Sequence, residues 1–277
     1  MLSGMDEAEL AGLRVMEVRD HTDRLAAAAL LSAIWGVPPT ESPVPADMMV
    51  ALTHAGGCVL GAWTADDTLV GVAIGLAGAP RSEQVYSYIA GVAKGAAGIG
   101  VGRRLKLAQR DWALRQGATS LIWTYDPLIR RNAHFNLNRL GAAVTGFVPD
   151  YYPPMTDALN TGDLPDRFVV EWRLTDEIGG RPLPPDAAAA PVVLGQDAEG
   201  GPVVRLDPLD PGGSSADRAA VVRALVPGDI EALRARDPGL GRRWRLAARE
   251  VFGALFGQGF APVAVDADGH YVFVREA

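Results

Sequence analysis

The chain has 277 residues and a mass of 29.2 kDa, long for one domain and short for three, so two compact units are expected. Hydrophobic residues at 48% and charged ones at 21% exclude a chain disordered throughout. The longest apolar run, Leu25 to Trp35, is interrupted by Ser32 and falls short of the roughly 20 residues a membrane span needs. A net charge of −7 disfavours a broad electrostatic grip on nucleic acid. Cys58 is the only cysteine, which rules out an intrachain disulfide and a thiolate metal site. The opening MLSGMDEAEL has acidic residues where a secretory signal has Lys or Arg ahead of an apolar stretch, so a cytoplasmic location is expected.

In chain order, residues 13–20 alternate like a half-buried strand. Thr22 or Asp23 then caps an apolar helix that runs to about Gly36. A Pro-rich break, VPPTESPVP, leads to ADMMVALTHAGG, a short amphipathic helix closed by Gly56 and Gly57. CVLGAWTAD and TLVGVAIGLAG read as a hairpin turning at Asp66-Asp67, and Val85 to Val92 as a further strand. AKGAAGIGVG opens onto RRLKLAQRDWALRQG, whose Leu105, Ala108, Trp112 and Leu114 keep helical spacing. Arg103, Arg104, Lys106, Arg110 and Arg115 supply its polar remainder. SLIWTYDP is a strand ending at Pro127, RRNAHFNLNRLG a helix stopped by Gly141, and AAVTGFVP and RFVVEWRL two more strands. From residue 177 to 220 the composition shifts to Pro, Gly, Ala and Asp, which reads as a linker or irregular arm with a strand-like PVVRL inside. After it come a strand VVRALVP, the helices GDIEALRARD and PGLGRRWRLAAREVFGALFGQG, and a hairpin around Asp268-Gly269.

A strand, a glycine-rich turn and a helix bring several backbone N–H groups and the positive end of a helix dipole to one point, which suits a phosphate or pyrophosphate. Gly98, Gly100 and Gly102 remove side chains that would block close approach, and Arg103 and Arg104 add positive charge. A turn that only packs tightly is the competing reading. The segment contains neither GxxxxGK[ST] nor GxGxxG, so nucleotide and dinucleotide loops are excluded.

From Leu13 to Asp176 the chain resembles the GNAT acetyltransferases, the superfamily named for the histone enzyme of general amino acid control. The likeness rests on the glycine loop between strand and helix, on Asn132, Ala133 and Leu140-Gly141 in the next helix, and on the order of elements. More narrowly, WTYDPLIRRNAHFNLNRLGA followed by DYY, with the C-terminal WRLAAREVFGALFGQGF, resembles a little-characterised branch of acyltransferases. The resemblance implies an α+β fold with a mixed, splayed sheet in residues 1–176. It also implies an arm at 177–220 and a βααββ unit at 221–277 like half of the same fold.

The implied reaction is transfer of an acetyl or larger acyl group from an acyl-CoA to the amine of a small molecule, an amino acid or related metabolite. The amine attacks the thioester directly in a ternary complex. Coenzyme contacts are implied at Val92, Ala93, Ala97, Gly98, Ile99, Gly100, Val101, Gly102, Arg103, Asn132 and Phe135. Two departures stand out: Ala97 replaces the family's Gln or Arg, and Leu137 stands where many relatives have a tyrosine acid. They motivate two alternatives, a regulatory acyl-CoA-binding protein without turnover, or a specialised enzyme acting on a CoA thioester in another way.

Tyr88, Asp126 and His134 are the catalytic candidates. A structural tyrosine, a turn aspartate and an ordinary helix histidine are the competing readings. Tyr125, Asn136, Tyr151 and Tyr152 are candidates for the acceptor site, against roles in the core or a lid; Asn132 and Asn136, four apart, share a helix face. His21, His54 and His270 are scattered, so no metal site is expected. The expected partner is the small-molecule amine, with neither nucleic acid nor membrane, and a homo-oligomer is left open.

Overall fold

The computed structural model describes residues 12–78, 82–153, 162–209 and 219–275. The described residues form two compact units. One takes the chain up to Trp123 and adds Arg173–Thr175; the other begins at Thr124 and includes Asp176 onward.

The first unit opens with β1 (Arg14–Glu17), α1 (His21–Trp35) and α2 (Ala46–His54). Asp20, not Thr22 or Asp23, caps α1: its carboxylate accepts from the Asp23 N–H at 2.8 Å, and Gly36 closes the helix in the left-handed region. Three strands follow, β2 (Cys58–Trp63), β3 (Leu69–Ala77) and β4 (Gln84–Val92), then α3 (Val101–Arg115) and β5 (Ser120–Tyr125). The strands lie in the order β1-β2-β3-β4-β5. β1 to β4 are antiparallel and β4 to β5 parallel, so the sheet is mixed. Ala27, Leu31 and Met49 from the two helices meet Val59, Val72 and Ile74 from the strands in one apolar cluster. α3 buries Leu105 and Trp112 of the expected stripe together with Val101, Gln109 and Ala113, and also Lys106, while Ala108 is half-buried and Leu114 is exposed.

In the second unit α4 (Arg130–Ala133) continues as a π-helical stretch, His134–Leu140. The Gly141 N–H reaches back five residues to the Asn136 carbonyl, so the regular helix read from the sequence is widened here. β6 (Ala143–Val148) and β7 (Arg167–Arg173) pair antiparallel. The stretch expected as an irregular arm contains β8 (Val192–Gln196) and β9 (Pro202–Val204). After it come β10 (Val221–Leu225), α5 (Ile230–Arg236), α6 (Pro238–Gly257), β11 (Phe260–Val265) and β12 (His270–Arg275), the expected βααββ order.

These strands form a five-stranded sheet ordered β11-β12-β10-β8-β9. β8 lies parallel to β10, so the C-terminal hairpin and β10 are extended by strands taken from the Pro-rich segment. Phe168, Phe252, Tyr271 and Phe273 pack edge-on or tilted with ring centroids 5.1–6.0 Å apart and fill this unit's core. The fold is α+β, and its elements up to β7 run in the order that the GNAT resemblance implies. No helix among the described residues is long and apolar enough to cross a membrane.

Candidate functional site

The glycine turn lies in the first unit. β4 ends at Val92, and after Ala93 a single 3-10 turn, Lys94–Ala96, delivers the chain to Ala97. Gly98 and Gly100 have φ of 85° and 97°, backbone that side chains rarely adopt, and a Cβ on Gly98 would meet nothing within 4 Å. The turn is therefore open on the side where Gly98 has no side chain. Gly100 is the N-cap of α3 and offers no side-chain acceptor, and Arg104 N–H to Gly100 O at 3.1 Å closes the first turn. The amides of Val101, Gly102 and Arg103 precede that bond, at the positive end of a helix of 15 residues. Ala97, Gly98, Gly100 and Arg103 are exposed, and Ile99 is half-buried. Arg104 does not join them, because its guanidinium donates to the Leu13 carbonyl at 2.9 Å.

β4 leads into this turn with a free edge. Its parallel pairing with β5 runs from Gln84–Ser120 to Tyr86–Ile122 and then ends. On the other side its pairing to β3 slips at Tyr88, for Ile74 faces Ile89 while Gly75 faces Ser87. Tyr88 is thus the extra residue of a bulge, and 45% of its surface is exposed. It is not the buried structural tyrosine weighed against the catalytic one. Val92 and Ala93, at the end of the same strand, are half-buried, and Ala93 N–H is held by Val70 O at 2.9 Å.

Behind the point where β4 and β5 part lies a buried polar group that the sequence reading passed over. Lys106 Nζ donates to Ser87 Oγ at 2.7 Å and stands 3.7 Å from the centre of the Trp123 ring. Ser87 Oγ in turn donates to Gln109 Oε1 at 2.7 Å. Burial pushes the Lys106 amine down to about 7 and the nearby Cys58 thiol up to about 11. The spacing of α3 puts Lys106 in its polar remainder, and the structure buries it. Its place beside Leu105 and Gln109, on the flank of the buried stripe, is the signal that could have marked it.

The remaining candidates lie in the second unit. Asp126 is 9% exposed and accepts from Arg245 at 2.7 Å, Arg234 at 3.2 Å and the Leu128 N–H at 2.9 Å. Asp163 accepts from the same two arginines, and Arg249 bridges Asp166 and Asp150. Burial alone would raise the Asp126 carboxyl, but Arg245 and Arg234 outweigh it and hold the group below the usual carboxylate range. A carboxylate so held is a poor acceptor for an ammonium proton, and its ion pairs fit a structural role for Asp126. Arg234, Arg245 and Arg249 carried no sequence signal beyond their seats beside the apolar stripes of their helices.

The Tyr125 hydroxyl is buried, 3.4 Å from that of Tyr271, which donates to Pro127 O at 2.8 Å. Burial raises both phenols. Tyr152 lies 3.2 Å from the Thr124 hydroxyl and packs edge-on against Tyr151, which is 37% exposed. His134 is exposed, Asn132 and Phe135 are half-buried, and Asn136 and Leu137 are buried. Among the described residues one trio of metal-ligand types gathers, Asp266, Asp268 and His270 in the β11–β12 turn. There Asp266 already accepts the amides of Asp268 and His270 at 3.0 and 2.9 Å.

No family model matches the chain, and no curated protein matches it significantly. Among solved structures it is similar to a GNAT-family acetyltransferase from Streptococcus pneumoniae, at 14% identity over 57% of this chain and 98% of that one, with a TM-score of 0.48. It is similar to YncA of Salmonella typhimurium, solved with acetyl-CoA, at 18% identity over 60% and 96%, with a TM-score of 0.46. A Bacillus subtilis acetyltransferase in complex with CoA is similar at 20% identity over 58% and 98%, with a TM-score of 0.43.

Proposed function

We propose that the chain is an acyl-CoA-dependent N-acyltransferase whose donor site is the glycine turn and the free edge of β4. The observation that carries this is the turn itself. Two left-handed glycines and an uncapped helix start follow directly on a strand that has lost its neighbour. The amides at Val101–Arg103 and the exposed Arg103 would hold the pyrophosphate. The unpaired backbone of β4 from Ser87 to Val92 would take the amides of the pantetheine arm in the manner of an added strand. Ala97 offers no side-chain contact, and backbone donors carry the binding without one.

The thioester supplies an activated acyl carbon, and the acceptor is the neutral amine of a small molecule. Its nitrogen bonds to that carbon and gives up one proton, the C–S bond breaks, and the thiolate takes up one proton, which leaves an amide and free thiol. Holding the two reactants together supplies much of the rate. The Tyr88 hydroxyl, carried outward by the bulge, is the group on β4 suited to protonate the thiolate, and the bulge leaves backbone donors free for the developing oxyanion.

The test is calorimetric titration with acetyl-CoA. Gly100→Glu would confound charge with backbone strain at φ 97°. Gly102 is the better site, since a Cβ there meets only Val92 at 3.8 Å. Gly102→Ala is expected to retain binding, and Gly102→Glu to lose it at least tenfold. Equal binding by both variants removes the loop assignment. A second reading, a thioester-binding protein without turnover, is favoured by the buried Leu137 at the family's tyrosine position and by the engagement of Asp126. Binding without thiol release across a panel of amines would establish it.

A further inference from the structure

The buried amine behind β4 has no use in the reaction just described. Lys106 is 5% exposed, and among the described residues it makes no ion pair. Its company is a hydroxyl, a ring face and a neutral thiol. A buried ammonium without an anion is costly, and such groups concentrate where a ligand supplies the missing charge. Its location is as specific as its chemistry. Ser87 and Trp123 are the first residues of β4 and β5 beyond the last parallel pair, Tyr86 and Ile122, and Lys106 Nζ touches both.

A role for this amine in donor selection rests on the donor site proposed above. A thioester anchored by its pyrophosphate at the glycine turn runs back along β4 from Val92 toward Ser87, about 16 Å of strand at about 3.3 Å per residue. Its acyl end therefore points to where the strands part, beside Ser87, Trp123 and the Lys106 amine that touches both. An acetyl or alkyl group would leave Lys106, Ser87 and Gln109 in poor company. Gln109 Nε2, also buried, has only the weakly accepting Cys58 thiol beside it among the described residues. A terminal carboxylate would accept from Lys106 Nζ and, once Ser87 Oγ turns its one proton away from Gln109 Oε1, from Ser87 as well.

We propose that Lys106 and Ser87 recognise a carboxylate at the end of the acyl chain, so that the preferred donor is a dicarboxylic acyl-CoA such as succinyl-CoA.

The experiment is calorimetry on the full chain with succinyl-CoA and butyryl-CoA, matched in chain length and different in the terminal charge. The expected result is at least tenfold tighter binding of succinyl-CoA. Lys106→Met should bring the two affinities together, and Ser87→Ala should narrow the gap severalfold, with circular dichroism confirming that each variant is folded. Equal affinities in the wild type, or a preference that survives Lys106→Met in the folded variant, overturn the inference while leaving the donor site standing. Absence of binding by either thioester and by free CoA would overturn the donor site and this inference together.

Discussion

At Lys106 an amine that is 5% exposed has a hydroxyl and a ring face beside it and no carboxylate, and its pKa falls to about 7. The unfolded chain keeps this proton up to the ordinary lysine value of 10.5, so between about 7 and 10.5 the folded state binds fewer protons and stability rises with pH. Cys58, the other titratable group in contact, acts in the opposite sense: its thiol is raised from 9.0 to about 11, so its contribution is lost only above 9. From pH 7 to 9 the lysine acts alone. Urea unfolding should therefore show about 2 kcal/mol more stability at pH 9 than at pH 7, at about 1.4 kcal/mol per pH unit for a full proton. Lys106→Met should flatten this slope and raise the stability at pH 7. A wild type whose denaturation midpoint does not move over this range would show that Lys106 is not buried as a neutral amine.

Asp126 is the opposite case, an anion with more partners than it needs. Arg245 is 1% exposed and reaches Asp126 and Asp163 at 2.7 Å each, so Arg245→Leu leaves both carboxylates to Arg234 alone among the described arginines. A loss of about 1.5–3 kcal/mol is expected from denaturant midpoints. Because the folded pKa of Asp126 is lowered, its contribution is present above the ordinary carboxylate value of 3.8 and is lost as pH falls through the folded value. The acid limb of unfolding should accordingly change in Arg245→Leu.

Among the elements, β4 and the π-helical stretch show how much a small irregularity can position. A strand of strict alternation would send Tyr88 and Tyr86 to the same face. One extra residue at the bulge re-aims Tyr88 and frees backbone groups at the point where β5 departs. The alternation of residues 85–92 reads as an ordinary strand, and nothing in it announces the slip, because a bulge is defined by the partner strand.

The widened turn after Ala133 has a readable cause in Gly141, whose φ of 78° ends the helix and whose amide bonds to Asn136 five residues back. In the same stretch, Asn138 accepts from the Val265 N–H and donates to the Val265 carbonyl, both at 2.9 Å, which pins β11. Asn138→Ala should cost about 1–3 kcal/mol and speed hydrogen exchange at the Val265 amide selectively. Uniform exchange rates in the variant would mean that the strand is held by its sheet alone.

For the whole molecule, the donor site proposed here draws on the first unit, and that makes ligand binding traceable. Acetyl-CoA at about 100 times its Kd should stabilise the state that binds it by about 2.7 kcal/mol. Hydrogen-exchange protection should centre on residues 87–104. Protection confined to residues after 176 would place the ligand elsewhere.

Much of this organisation was legible before any coordinates. The glycine turn, the caps at Gly36 and Gly141, the hairpins at Asp66-Asp67 and Asp268-Gly269 and the order of elements all follow from backbone preferences spanning a few residues. So does the βααββ order of the C-terminus, whereas the α+β fold class was implied by the family resemblance. What only the tertiary structure decided is where charges pair and which strands join. The Asp126–Arg245 contact spans 119 residues. β8 emerges from a Pro-rich stretch by lying parallel to β10. Lys106 sits inside, against Ser87 of β4 and the Trp123 ring of β5. Local propensity acts through neighbours along the chain and is written in it. Burial and charge pairing act through space, and residues far apart in sequence meet only when the packed fold brings them together.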